Sequence, residues 1–245
     1  MACDGETSLD RVSVAGAIAL AGCGLDESSG SSETGTVRIG TPVGLTGPYS
    51  ARAEDQRDAV ELASEELSNS DESDIEIEVF TSDTELDPTK AVEQTRRMIQ
   101  EENVHAIVGA TSSSTGTSLA PLAEDSDVLF MSPNGTNLLN GEECSSNTFQ
   151  MAASSEMTAR GIAPLVLNND QFGEDWFLIV ADYGWGHDVQ GALKEIASNN
   201  GKNVVGSVRA PFGASDFSSF LSQAQSTDPD TLFLIQHGAS NSTAI

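Results

Sequence analysis

Short apolar runs alternate with helical patterns along most of this chain. Residues 37–43 carry a strand pattern that ends at the turn Gly44-Leu45-Thr46-Gly47-Pro48. Residues 52–69 have a helical spacing, with Val60, Ala63 and Leu67 placed on one face. Ile75-Glu76-Ile77-Glu78-Val79-Phe80 alternates as a strand with one wet face does. Asp87-Pro88 predicts a helix start, with Asp as the cap and Pro at the first helical position. Ala91, Val92, Met98 and Ile99 then keep one apolar side. A strand over 104–108 leads into a Gly/Ser/Thr loop over 109–117 and a short helix over 119–124. A strand over 128–131 is followed by a long polar loop over 132–147.

The alternation then resumes. Helices are predicted over 154–168, 186–199 and 217–225, and strands over 176–181, 204–208 and 232–235. Strand and helix alternating at this spacing predict an α/β fold: parallel sheets covered on both faces, in two Rossmann-like units. Sheets of this kind bind ligands beyond the carboxyl ends of their strands. In the first unit that places the loops 44–52, 109–117 and 132–137 at the ligand. All three are rich in Gly, Ser and Thr, whose N–H and hydroxyl groups suit a carboxylate or another small anion.

Charge narrows the partners. Asp and Glu number 38 against 11 Lys and Arg, for a formal net charge of -27 in 245 residues. Such a surface repels phosphate backbones and anionic bilayers, so nucleic acid and electrostatic membrane docking are excluded as partners. No apolar run is long enough to span a bilayer. The acidity is spread along the chain and only three cations are lysines, Lys90, Lys194 and Lys202. This pattern points to a halophilic source, where molar salt screens charge within a few ångströms.

The N-terminus has a different character. Residues 12–21 are small and apolar, too short to span but suited to a signal-peptide core. Leu20-Ala21-Gly22-Cys23 resembles the lipobox of secreted lipoproteins. The resemblance implies a signal peptide over 1–22, lipidation of Cys23 and a flexible tether over 23–35. Residues 1–11 hold Asp4, Glu6 and Asp10 against Arg11 alone, so they do not identify the export route. Of the cysteines, Cys3 leaves with the signal and Cys23 carries lipid, which leaves Cys144 as an unpaired loop thiol.

Catalytic chemistry finds little support. There is no Gly-x-Gly-x-x-Gly after the first strand and no phosphate loop, so no cofactor is expected. His105 stands at a strand start and His187 at a helix start, with neither zinc spacing nor a nucleophile elbow. Ser112-Ser113-Ser114 lacks an identifiable base, and binding is the better reading of it. No catalytic or metal-ligating residue is assigned.

Several stretches together carry a family resemblance. Gly44-Leu45-Thr46-Gly47-Pro48-Tyr49 follows the first strand. Asp83-Thr84-Glu85-Leu86-Asp87-Pro88-Thr89-Lys90-Ala91-Val92 forms a helix entry. Ile107-Val108-Gly109-Ala110-Thr111-Ser112-Ser113-Ser114-Thr115 and Ser132-Pro133-Asn134-Gly135-Thr136-Asn137 are the two polar loops. Tyr183-Gly184-Trp185-Gly186 and Ser215-Asp216-Phe217-Ser218 follow in order. From about Val37 onward the chain resembles the solute-binding proteins of branched-chain amino-acid ABC importers, of the type I periplasmic-binding fold.

That resemblance implies two ligand-binding lobes, 36–150 and 151–245, closing on an amino acid or amide and passing it to a membrane permease. It implies a protein on the outer face of the membrane that is not an enzyme. It implies that Ser113, with Thr111, Ser112 and Ser114 beside it, binds the solute carboxylate. Asn134, Gly135 and Thr136 are implied to hold its ammonium and carboxylate, and Trp185 to cover it. Arg52 replaces an aromatic residue of the family, so it either favours an acidic solute or stands exposed to solvent, and His237 falls where members place a pocket aromatic. Two cysteines that pair in some members correspond to Leu86 and Ser112. Asn134-Gly135-Thr136 and Asn241-Ser242-Thr243 are also glycosylation sequons, and the first is expected to be unmodified because a glycan would block the pocket.

Family members continue past the point matched by Ile245, so the second lobe and the return crossings are expected to be incomplete. Two alternatives remain at this level: a sensor module of the same fold serving signalling or regulation, and a truncated remnant without function.

Overall fold

The computed structural model describes residues 35–70, 75–142 and 144–237. Eight strands and six helices alternate: β1 Gly35–Val43, α1 Ser50–Ser68, β2 Ile75–Asp83, α2 Pro88–Glu101, β3 Ala106–Val108, α3 Ser113–Asp125, β4 Leu129–Ser132 and β5 Thr148–Gln150, then α4 Ser155–Leu167, β6 Asp175–Ala181, α5 Gly184–Asn199, β7 Asn203–Ala210, α6 Ser218–Ser226 and β8 Thr231–Ile235. Two sheets result, ordered β2-β1-β3-β4-β5 and β7-β6-β8. Every strand pair is parallel. This is the α/β architecture of two parallel-sheet lobes expected from the alternation. In each sheet the order reverses beside a central strand, at β1/β3 and at β6/β8. Such switch points open a crevice at the carboxyl ends of the strands.

The cores follow from the strand pattern. Trp176, Leu178 and Val180 point to one face of β6 and pack under Ala159 and Ala163 of α4 and Val189 and Leu193 of α5. Phe177 and Ile179 point to the other face and meet Phe217 and Ala224. A strand buried on both faces has to be apolar at every position, as residues 176–181 are. In the first lobe Ile107 and Phe130 pack with Ala91, Leu119, Leu122 and Leu139. Truncating a fully buried side chain such as Leu178 costs about 2–5 kcal/mol.

Local starts and stops obey the sequence chemistry. Asp87 accepts a hydrogen bond from Lys90 N–H at 2.9 Å and Pro88 opens α2. Ser112 caps α3 in a capping box with Thr115. Gly44 lies against the Leu86 side chain, where a Cβ would come within 2.3 Å of Leu86 Cδ2.

Some expectations need correction. Helix α3 begins at Ser113, so the Gly/Ser/Thr loop is shorter than its composition suggests. The 132–147 stretch contains a 3-10 turn, Leu138–Asn140, and leads into β5, a strand of three residues that pairs with β4. On α1 the buried positions are Ala53 and Ser64, whereas Ala63 is exposed and Leu67 is 45% exposed. Cys144 is disulfide-bonded rather than a free thiol. The expected signal peptide, Cys23, the tether up to residue 34 and the 241–243 sequon lie outside the described residues.

Candidate functional site

The loops that leave the carboxyl ends of the two sheets enclose a cavity of about 300 Å³. Nearly every strand contributes. Tyr49 and Arg52 come after β1, Thr111, Ser112 and Ser113 after β3, and Pro133, Asn134 and Gly135 after β4. Ala152 and Ala153 follow β5, and Thr158 stands on α4. Tyr183 and Trp185 follow β6, and His237 follows β8. Of the residues singled out in the sequence, Arg52, Thr111, Ser112, Ser113, Asn134, Gly135, Trp185 and His237 line it. Thr136 and Ser114 do not; they border a separate outer recess with Leu138 and Pro121. Tyr49, Tyr183 and Thr158 are additional lining residues.

The hydrogen bonds divide the lining into scaffold and free groups. Thr111 Oγ1 accepts from Gly44 N–H at 3.0 Å and donates to Gln56 Oε1 at 2.9 Å, tying the β1 loop to the β3 loop. Ser112 Oγ is committed to the cap, accepting from Thr115 N–H at 3.3 Å. Ser113 Oγ makes no hydrogen bond among the described residues. The Ser113 and Ser114 N–H groups open α3, where helix geometry provides no acceptor. A free hydroxyl and free amides at a helix N-terminus form an anion receptor. Asn134 is 4% exposed, and its Nδ2 donates to Ala110 O at 3.1 Å and Ser132 Oγ at 3.0 Å. That engagement leaves no free amide for a glycan, in keeping with an unmodified sequon.

An aromatic wall faces these polar groups. Tyr183 and Trp185 stack at 6.1 Å, and Phe212 backs Tyr49 edge-on at 4.6 Å and Tyr183 at 5.1 Å. Tyr49 Oη donates to Tyr183 Oη at 2.8 Å across the lobes. Burial, with Tyr49 beside it, pushes the Tyr183 phenol far above the ordinary tyrosine range, so it stays protonated. Gly135 fits under Trp185: a Cβ there would stand 3.0 Å from Trp185 Cδ1 and 3.0 Å from Ala153 O.

Among the described lining residues Arg52 is the one permanent charge, and none is Asp or Glu, although the chain has 38. Arg52 Nη1 lies 2.9 Å from His237 Nε2. A guanidinium can only donate, so His237 accepts through Nε2 and carries its proton on Nδ1. Burial and the nearby Arg52 lower the His237 pKa, which keeps the ring neutral. Thr136, by contrast, turns away: its Oγ1 donates to Asp188 Oδ2 at 3.0 Å.

The other histidines are structural. His105 Nδ1 accepts from Arg38 N–H at 3.0 Å, and His187 Nε2 pairs with Asp182 Oδ1 at 2.8 Å. Among the described residues no cluster of His, Cys, Asp and Glu could hold a metal ion, and no helix is long and apolar enough to cross a membrane.

Residues 36–245 match the family model described as periplasmic binding protein. The chain belongs to that family. Solved structures agree with the fold. A periplasmic binding protein from Burkholderia mallei is 27% identical, with a TM-score of 0.73 over 85% of this chain and 56% of its own. An amino acid ABC transporter substrate-binding protein from Pseudomonas fluorescens is 22% identical, with a TM-score of 0.75 over 85% and 56%. A solute binding protein of an ABC transporter from Rhodopseudomonas palustris, in complex with benzoate, is 20% identical, with a TM-score of 0.75 over 84% and 57%. The chain therefore spans slightly more than half the length of these relatives. No curated protein matches it.

Proposed function

We propose that this chain is the solute-binding component of an ABC importer, closing its two lobes on a small carboxylate and delivering it to a membrane permease. Lobe closure sequesters the solute, and the permease reads the closed form. The solute carboxylate docks on the free Ser113 hydroxyl and the first amides of α3, and Arg52 supplies the positive charge. Tyr183 and Trp185 cover the solute body. Binding proceeds without chemical turnover. The protein works on the outer face of the membrane.

The observation that carries this reading is the lining itself. A cavity whose described lining offers one guanidinium and a free helix N-terminus, in a chain of net charge -27, suits an anion. An amino acid is the solute expected from the sequence resemblance, and the P. fluorescens relative is named as an amino acid protein. The lining favours a second class. A ring finds Tyr49, Tyr183 and Trp185 among the described lining residues. An aromatic monocarboxylate fits best, the class to which the benzoate bound by one R. palustris relative belongs.

A thermal-shift screen in molar KCl tests both. At a hundred times Kd a ligand stabilises by about 2.7 kcal/mol, or roughly 5–10 °C for a chain of this size. Aromatic carboxylates should give such a shift and amino acids a smaller one. A shift with amino acids alone would return the assignment to that class.

A further inference from the structure

Asp188 stands in the second turn of α5, over the three-stranded sheet. Its Oδ2 accepts two hydrogen bonds from the loop that follows β4 of the other sheet. One comes from Thr136 Oγ1 at 3.0 Å, the other from Asn137 N–H at 2.9 Å. Thr136 is 1% exposed, so this hydroxyl is already out of water. The same loop is braced on its other side. Gln150 Nε2 donates to Thr136 O at 3.0 Å, and Asn137 Oδ1 accepts from Glu156 N–H at 3.0 Å at the start of α4.

Other polar links also join the lobes: Tyr49 to Tyr183, Arg52 to His237, and, where the chain passes between them, Ser155 N–H and Oγ to Gly135 O and Glu156 N–H to Asn137 Oδ1. The Tyr49–Tyr183 and Arg52–His237 links lie within the cavity lining. The Asp188 link does not, so a solute neither displaces it nor replaces it. Hydrogen bonds to an ionised carboxylate are about twice as strong as neutral ones. Here one carboxylate oxygen is shared by a hydroxyl and a backbone amide of the opposite lobe.

We infer that Asp188 is a latch: it holds the lobes in the closed arrangement by taking the Thr136 hydroxyl and the Asn137 amide, and so removes Thr136 from solute recognition. Asp188 touches no solute and is a positioning residue. Because the bonds join the lobes, opening breaks them and closure restores them. Their loss therefore speeds solute escape and leaves solute entry nearly unchanged. The kinetic part of this inference rests on the two-lobe closure proposed above; the hydrogen-bond part does not.

The test uses the full chain in molar KCl, with 4-hydroxybenzoate as the probe. Stopped-flow fluorescence gives association and dissociation rates, and amide hydrogen exchange is followed without probe. Asp188→Ala should raise the dissociation rate about tenfold or more and change the association rate by less than about threefold. Asp188→Asn, which keeps one acceptor oxygen, should fall between. Thr136→Val should raise the dissociation rate too, and its combination with Asp188→Ala should add little. A substitution that only weakened folding would lower the binding amplitude and leave both rates alone. In the probe-free arm Asp188→Ala should speed exchange of the Asn137 amide about tenfold while the β6 amides keep wild-type protection. An unchanged dissociation rate in both single variants, or unchanged Asn137 exchange, overturns the latch. If the wild type fails to bind the probe, the solute assignment has failed, and Asn137 exchange alone decides for or against Asp188.

Discussion

Arg52 Nη1 and His237 Nε2 meet at 2.9 Å across the two lobes, which fixes the ring as a neutral acceptor. The Arg52 charge, the Tyr49 ring and the Trp185 ring all face this imidazole. Its pKa is lowered in the folded state by burial and by Arg52. The unfolded chain therefore binds the proton more readily, and stability falls as pH drops below about 6.5 towards the folded-state value. Above that range His237 contributes no pH dependence. His237→Asn, which cannot charge, should show a shallower loss of melting temperature between neutral pH and pH 5 than the wild type. Comparing the two cancels the contribution of the carboxylates. Parallel pH profiles would contradict this state of the ring.

Gly135 leaves room for Trp185. An added methyl would stand 3.0 Å from both Ala153 O and Trp185 Cδ1, closer than such contacts ordinarily come. Gly135→Ala must move the indole or part the lobes, at a cost of about 1–3 kcal/mol. Solute affinity should fall about tenfold or more, with a shift in tryptophan emission. Unchanged affinity would mean that the lobes need not approach this closely.

Thr95 on α2 is fully buried, and its hydroxyl has no hydrogen-bond partner among the described residues. Valine fills the same space without the unsatisfied group and has a similar helix propensity. Thr95→Val should stabilise the chain by about 1 kcal/mol in urea melts. A destabilised variant would show that the hydroxyl has a partner in solution.

A net charge of -27 favours expansion. Raising KCl shortens the Debye length from about 10 Å at 0.1 M to about 3 Å at 1 M, which removes repulsion between exposed carboxylates. The melting temperature should therefore rise steeply with KCl. The exposed ion pairs, such as Arg97 with Glu93, contribute too little to reverse the trend. A melting temperature that is flat or falling with salt would count against a salt-adapted surface.

The strand and helix alternation was legible because buried parallel strands must be apolar throughout, as at 176–181, and because Asp87-Pro88 is an unambiguous helix start. Three features were not legible, each for a physical reason. Strand β5 has three residues and no period to read. Helix α3 opens inside a Ser/Thr/Gly run whose side chains serve the cap, so its composition resembled a loop. Helix α1 is so polar that Val60, Ala63 and Leu67 looked like its apolar face, whereas Ala53 and Ser64 are the buried positions.

At the site, the Gly/Ser/Thr loops were placed by the rule of strand carboxyl ends, and Trp185 by the family resemblance. Tyr183 could have been found the same way, since it stands two residues after β6 beside Trp185. Thr158 gave no signal, because it sits mid-turn in a helix and comes to the cavity only through packing. Thr136 had the right loop but the wrong neighbour. Only the fold brings Asp188, 52 residues away, within 3.0 Å of its hydroxyl.

Isothermal titration of the chain with benzoate in molar KCl, beside Arg52→Gln and Ser113→Ala, tests solute binding most directly. The account predicts one site per chain. Each substitution should weaken binding about tenfold or more, as the loss of a charge-assisted hydrogen bond requires. Binding that both variants retain at full strength, or no heat with benzoate, 4-hydroxybenzoate or any amino acid, would contradict it.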